Sequence, residues 1–155
     1  MADVLLVIDM VKGFFDPKCP LYCGDRARDI IPAVRKLVEF EVKKGSEVFF
    51  VCDAHEEHDL EFEIFPPHCI TGTEESLVID ELSGLDGARI DKKRFSAFFG
   101  TNLEERIKPL CPEKIIVSGV CTSICVLHTV VSARNLDYKV EIPVDSVADF
   151  DTDNH

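Results

Sequence analysis

The sequence predicts a doubly wound α/β three-layer sandwich on a mostly parallel central sheet, and three observations carry that prediction. Runs such as VLLVID (4–9) and EVFFVCD (47–53) are almost continuously apolar, the pattern of strands covered on both faces. Segments with helical spacing alternate with them, as βαβ units require. The 155 residues amount to about one domain's length and contain no repeat, low-complexity tract or linker. A single domain over 1–155 is expected.

Taken in order, VLLVID is a first strand closed by a charge. ARDIIPAVRKLVEFEVKKG (27–45) places Ile30, Ile31, Val34, Leu37 and Val38 on one helical face, with Pro32 tolerated in the first turn and Gly45 as the stop. EVFFVCD is the second strand. EESLVIDEL (74–82) reads as a short helix, and ARIDK (88–92) as a third strand. TNLEERIKPL (101–110) reads as a helix opened by a capping box, Thr101 with Glu104. KIIVSGV (114–120), ICVLHTVVSARN (124–135) and YKVEIPVD (138–145) follow as strand, helix and fifth strand.

A net charge of −12 disfavours nucleic acid and anionic membranes as partners, because phosphate binding needs clustered Lys and Arg. Small molecules are the expected ligands. No apolar run approaches the roughly 20 residues of a membrane span. The start MADVLLVIDM lacks a basic leader and a cleavage site, so the chain is expected to stay in the cytoplasm. Seven cysteines, an odd number, then read as free thiols in a reducing compartment.

Doubly wound sheets bind ligands at the carboxyl ends of their strands. There the chain places Asp9, Asp53 with His55, Lys92, Gly119 to Cys125, and Asp145. An Asp at a strand end is also a common turn former. In VSGVCTSICVLHT (117–129), a helix starting near Ser123 would put Cys125 in its first turn, where free N–H groups and the helix dipole stabilise a thiolate. Lys92 nearby would lower its pKa further. A small buried cysteine explains the same residue without chemistry. Cys121, inside the turn, reads as structural or as a backbone donor, and Gly119 would let the chain turn sharply and leave N–H groups for an oxyanion. Asp53 and His55, two apart at a strand end, can face one site, with His68 brought in by the PPHC turn. One carboxylate and two imidazoles suit Zn, Fe or Mn with positions left open. His58 stands in an EEHD run that reads equally as a solvated acidic loop. Cys52 and Cys69 are expected to face the core. Cys19 and Cys23 have no second pair to complete a zinc knuckle.

Together, VIDMVKGFF, DAH, FPPHCITGT, KKRFSAFFGTNL and SGVCTSICVLHTVVSA resemble the isochorismatase-like cysteine hydrolase superfamily, in order along nearly the whole chain. DAH followed by PPHC resembles its nicotinamidase (pyrazinamidase) branch. The resemblance implies a triad of Asp9 as base, Lys92 as orienting cation and Cys125 as nucleophile. Lys92 is preferred to Lys93 because it stands two before Arg94 in the family's K-x-R-[YF]-S-A-F pattern. It implies a cis peptide at Val120–Cys121, an oxyanion hole from the N–H groups of Cys121 and Cys125, and aromatic contacts to a planar ring from Phe14, Phe65 and Phe95. A divalent metal, zinc ahead of iron or manganese, would be held by Asp53, His55 and His68, with His58 a candidate fourth ligand. The implied reaction converts nicotinamide to nicotinic acid and ammonia through a Cys thioester. Hydrolysis of another small amide, a carbamoyl compound or a vinyl ether is the alternative, and a silent thiol-rich binding protein the lesser one.

Two positions depart from the family pattern: Val11 stands where many members carry Gln, and Phe65 where Trp is usual. The chain also stops after SVADFDTDNH, where relatives continue into a further helix and strand, so the domain is expected to lack them. An open sheet edge there would invite association, and a homo-oligomer is expected.

Overall fold

The computed structural model describes residues 2–155. Its strands are β1 (Val4–Ile8), β2 (Glu47–Asp53), β3 (Ala88–Lys92), β4 (Ile115–Val120), β5 (Val140–Glu141) and β6 (Val147–Ala148). They form one sheet in the order β3-β2-β1-β4-β5, with β6 also on β4, and every pairing is parallel. Alternate residues of each central strand point to opposite faces, which is why these strands are apolar throughout. Leu5, Val7, Val48 and Phe50 pack on one side against Val34 and Val38 of α3 (Ile31–Lys44). Leu6, Ile8, Phe49 and Val51 pack on the other against Leu103 and Ile107 of α4 (Leu103–Ile107) and Ala133 of α5 (Leu127–Asn135). Strand order reverses between β1 and β4, and a crevice opens at that switch point.

Four expected elements change. The long first helix divides into α2 (Asp25–Arg28) and α3, with Pro32 in the first turn of α3 and Gly45 closing it in the left-handed region at φ 89°. Instead of a helix over 74–82 there is only a 3₁₀ turn, Glu74–Ser76. The segment after that turn is held extended against the chain leaving β1, through a Val11–Val78 bridge and the bonds Lys12 N–H to Leu77 O and Ile79 N–H to Met10 O. No capping box forms ahead of α4: Asn102 is its N-cap, Glu104 is exposed, and the Thr101 hydroxyl donates to Ala97 O. The fifth strand shortens to β5, because Pro143 has no N–H to continue a ladder; a 3₁₀ turn follows and β6 returns to β4. A four-residue α1 (Lys12–Phe15) completes the elements. No helix among the described residues is long and apolar enough to cross a membrane.

Candidate active site

The sheet brings the reactive residues together. Asp9 follows β1 directly, with φ 51° and its N–H on Val51 O at 2.8 Å. Asp53 and Lys92 end β2 and β3 and are register partners. After β4 the peptide Val120–Cys121 is cis, and a π-turn, Thr122–Val126, carries Cys125. Gly119 does more than turn the chain. A Cβ there would lie 2.0 Å from Ile8 O, so only glycine lets β4 press against β1 and bring the turn to Asp9.

Lys92 is wholly buried, with Nζ 3.0 Å from Asp9 Oδ2 and 3.4 Å from Cys125 Sγ; it donates to Asp53 Oδ1 and to Arg94 O. Asp9 Oδ1 accepts the Asp53 N–H at 2.9 Å. Asp9 Oδ2 has no partner of good hydrogen-bond geometry, and Lys92 Nζ stands between it and the Cys125 sulfur as a common neighbour of both. Burial, reinforced by Asp53 and opposed by Lys92, pushes the Asp9 carboxyl up to about 6. Burial would raise Asp53 too, but Lys92, His55 and His68 hold it well below the usual carboxylate range. Burial would lower Lys92, yet its two carboxylates keep it charged.

Cys125 contradicts the expectation of a stabilised thiolate. Burial pushes its thiol well above the ordinary value, more than Lys92 lowers it, and Asp9 and Asp53 add to the rise. Nor does it sit in the first turn of an α-helix, since α5 begins only at Leu127. The resting pair is therefore a neutral thiol beside a carboxylate that is ionised at neutral pH. A thiol beside a carboxylate is an arrangement in which a proton can pass from one to the other.

A second group adjoins the triad through Asp53. Asp53, His55, Glu61 and His68 are all buried, each with one ligand atom within 4.8 Å of the others. His55 Nε2 lies 3.4 Å from Asp53 Oδ2 and 3.2 Å from Glu61 Oε2; His68 Nε2 lies 3.5 and 3.6 Å from the same oxygens. Donors about 2.1 Å from a central tetrahedral ion would be about 3.4 Å apart. Both imidazoles are oriented from behind, His55 Nδ1 by Asp59 at 3.0 Å and His68 Nδ1 by Pro66 O at 2.8 Å, so each turns Nε2 inward. His55 Nε2 is buried with no hydrogen-bond partner. Burial would lower the His55 pKa, but Asp53, Glu61 and Asp59 raise it to about 10, a site that calls for positive charge. The donor set and spacing fit a divalent cation.

The fourth member corrects the sequence reading. His58 is exposed and outside the group. Asp59 accepts the Glu61 N–H at 2.9 Å and caps the 3₁₀ turn Leu60–Glu63, which swings Glu61 inward and leaves His58 in solvent. Arg94 donates to the same Asp59 oxygen at 2.8 Å. Neither Glu61 nor Asp59 stands out in so acidic a run; the one sequence cue is an Asp two residues before Glu61, where a cap would sit.

Phe14, Phe65 and Phe95 line a pocket floored by Asp9, His68 and Cys125. Phe65 packs edge-on to Phe95 and to His68, each with centroids 6.2 Å apart. Leu21, Ile124 and Phe150 complete the apolar wall, and no Lys or Arg is among the lining residues. Asp145 is exposed and outside this pocket. Cys52 and Cys69 are buried in the core, as expected. Cys23 lies 3.6 Å from Cys121, sulfur to sulfur, and all seven cysteines are free.

The isochorismatase domain matches residues 3–155. A crystal structure of nicotinamidase PncA from Bacillus subtilis superposes with a TM-score of 0.93 at 32% identity, covering 100% of this chain and 91% of that one. A probable inactive nicotinamidase of Arabidopsis thaliana is 32% identical over 93% of this chain and 79% of its own length. The structure of N-carbamoylsarcosine amidase from Thermoplasma acidophilum has a TM-score of 0.90 at 30% identity, covering 99% of this chain and 88% of that one.

Proposed function

The chain belongs to the isochorismatase family of hydrolases, and from that premise we propose that it converts nicotinamide to nicotinic acid and ammonia through a thioester on Cys125. The observation that carries the reading is the union, through Asp53, of a buried Asp9–Lys92–Cys125 cluster with a four-donor metal group beneath one aromatic pocket.

Asp9 takes the thiol proton as Cys125 attacks the amide carbonyl, while Lys92 keeps Asp9 ionised and in place. The N–H groups of Cys121 and Cys125 receive the oxyanion. Collapse expels ammonia, to which Asp9 returns the proton, and leaves the thioester. Asp9 then removes a proton from water as it attacks the thioester, freeing the acid and restoring the thiol. Asp53, His55, Glu61 and His68 would hold a divalent cation, zinc ahead of iron or manganese, which supplies a Lewis-acid anchor for a ring nitrogen. Phe14, Phe65 and Phe95 offer faces to a planar ring.

The pocket wall favours this substrate over two chemically distinct ones. N-carbamoylsarcosine carries a carboxylate and isochorismate carries two. A wall with Asp9, Asp53 and Glu61 and no Lys or Arg offers those anions no cationic side chain. Other neutral small amides remain the second reading. The seven free cysteines support a reducing, cytoplasmic setting, and exposed Leu127 and Val131, one turn apart on α5, support a homo-oligomer.

The test is ammonia release by zinc-loaded protein and its Cys125→Ala variant from nicotinamide, pyrazinamide and N-carbamoylsarcosine. Turnover of the first two that vanishes in the variant is expected. Folded, zinc-loaded protein that leaves both ring amides intact would overturn the reading.

A further inference from the structure

The residues after β6 reach the site from a stretch that the mechanism above does not use. β6 pairs with β4 as Gly119 to Val147 and Val120 to Ala148, so Asp149 emerges beside Cys121. Its side chain is buried and has no salt bridge among the described residues. A carboxylate in that position is costly unless donors satisfy it. Here Asp149 Oδ2 accepts both the N–H of Ser123, at 2.7 Å, and its hydroxyl, at 2.6 Å. Oδ1 accepts the N–H of Asp151 at 3.3 Å. Ser123 is the middle residue of the turn 121–125. Within that turn the Cys121 carbonyl accepts the N–H groups of Ile124 and Val126, flanking Cys125. The next residue, Phe150, lines the pocket.

We infer that Asp149 is a positioning residue: by clamping Ser123 it holds the turn so that the N–H groups of Cys121 and Cys125 converge on the oxyanion. The inference rests on the amidase reading. It assigns the end of the chain a part in the chemistry, since a loosened turn would leave the nucleophile present and the oxyanion donors misaimed.

The test uses zinc-loaded protein and pyridine-3-carbaldehyde, to which the Cys125 thiol adds reversibly. Sulfur bonds to the carbonyl carbon and the thiol proton ends on the former carbonyl oxygen, which then lies where the oxyanion would. The control ligand is 3-methylpyridine, which keeps the ring and lacks the carbonyl. Asp149→Ala is expected to weaken aldehyde binding and lower kcat together, each by about 30-fold, with KM and 3-methylpyridine affinity within about two-fold of the parent. Asp149→Asn, which retains an acceptor for the Ser123 N–H, is expected to restore most of both. Ser123→Ala, which removes only the hydroxyl bond, should cost about 3-fold, and carries the comparison should Asp149→Ala not fold. Unchanged aldehyde affinity in Asp149→Ala, or aldehyde and 3-methylpyridine affinities falling in parallel, overturns the inference. Should the parent form the adduct but release no ammonia from nicotinamide, the amidase reading fails while the Asp149 comparison is still read from the adduct. A parent that forms no adduct overturns both.

Discussion

The two halves of the site share Asp53 but are built by opposite means. Asp9, Lys92 and Cys125 come from positions far apart in the chain and meet because β1, β3 and β4 end on the same edge of one sheet. Asp53, His55, Glu61 and His68 fall within a single stretch of 16 residues, and a loop folds them around a point. The first half takes its precision from strand register, with β1 and β4 buried on both faces. The second takes it from capping and orienting bonds: Asp59 on His55, Asp59 on Glu61, Pro66 on His68. Substitution of Cys125, the uncharged member of the cluster, should therefore change the rate and spare the fold, and substitutions behind the loop should change metal affinity.

The sharpest test of that division is Cys125→Ala. On the amidase reading it lowers ammonia release from nicotinamide by about 10⁴-fold or more, while the thermal midpoint and zinc content stay near the parent's. Next comes Gly119→Ala, which attacks the frame itself. Its Cβ would meet Ile8 O at 2.0 Å in a left-handed residue at φ 109°, so a loss of about 3 kcal/mol or more in denaturant unfolding is expected. A midpoint unchanged from the parent would show that β4 does not depend on that contact. Asp59→Asn should lower zinc affinity roughly 10- to 100-fold in a chelator competition and leave aldehyde addition at Cys125 measurable, because its bonds go to His55, Glu61 and Arg94 and not to the Asp9–Lys92–Cys125 cluster. The smallest expected effect is that of His58→Ala. Zinc affinity within about two-fold of the parent is the outcome that agrees with its exposure. A large loss there would restore His58 as a ligand and displace Glu61.

Legibility in the sequence follows the same division. Strand ends were readable because a short run such as VLLVID, closed by a charge, reads as a doubly covered strand, and the doubly wound rule then names Asp9, Asp53 with His55, Lys92, the turn after β4 and also Asp145, which lies outside the pocket. Glu61 was not readable. It is one acid among several in EEHDLEFE, and a 3₁₀ turn with a cap decides which carboxylate points inward. The helix expected over 74–82 failed for a related reason: its apolar spacing suits a helix, but backbone pairing with residues 10–12 holds it extended. The thiol of Cys125 was misjudged because a helix dipole can be inferred from sequence order, whereas desolvation by surrounding side chains cannot.

By itself the sequence determined the layered α/β architecture and the residue types gathered at the carboxyl edge of the sheet, because hydrophobic periodicity and chain order are local properties. Only the tertiary structure decided which acid joins Asp53, His55 and His68, that Cys125 is buried deeply enough to favour its thiol, and that Asp149 bonds Ser123 in the turn between Cys121 and Cys125. Each of these depends on burial and on distances of a few ångströms between side chains remote in the chain or turned by a loop, and a linear pattern does not encode them.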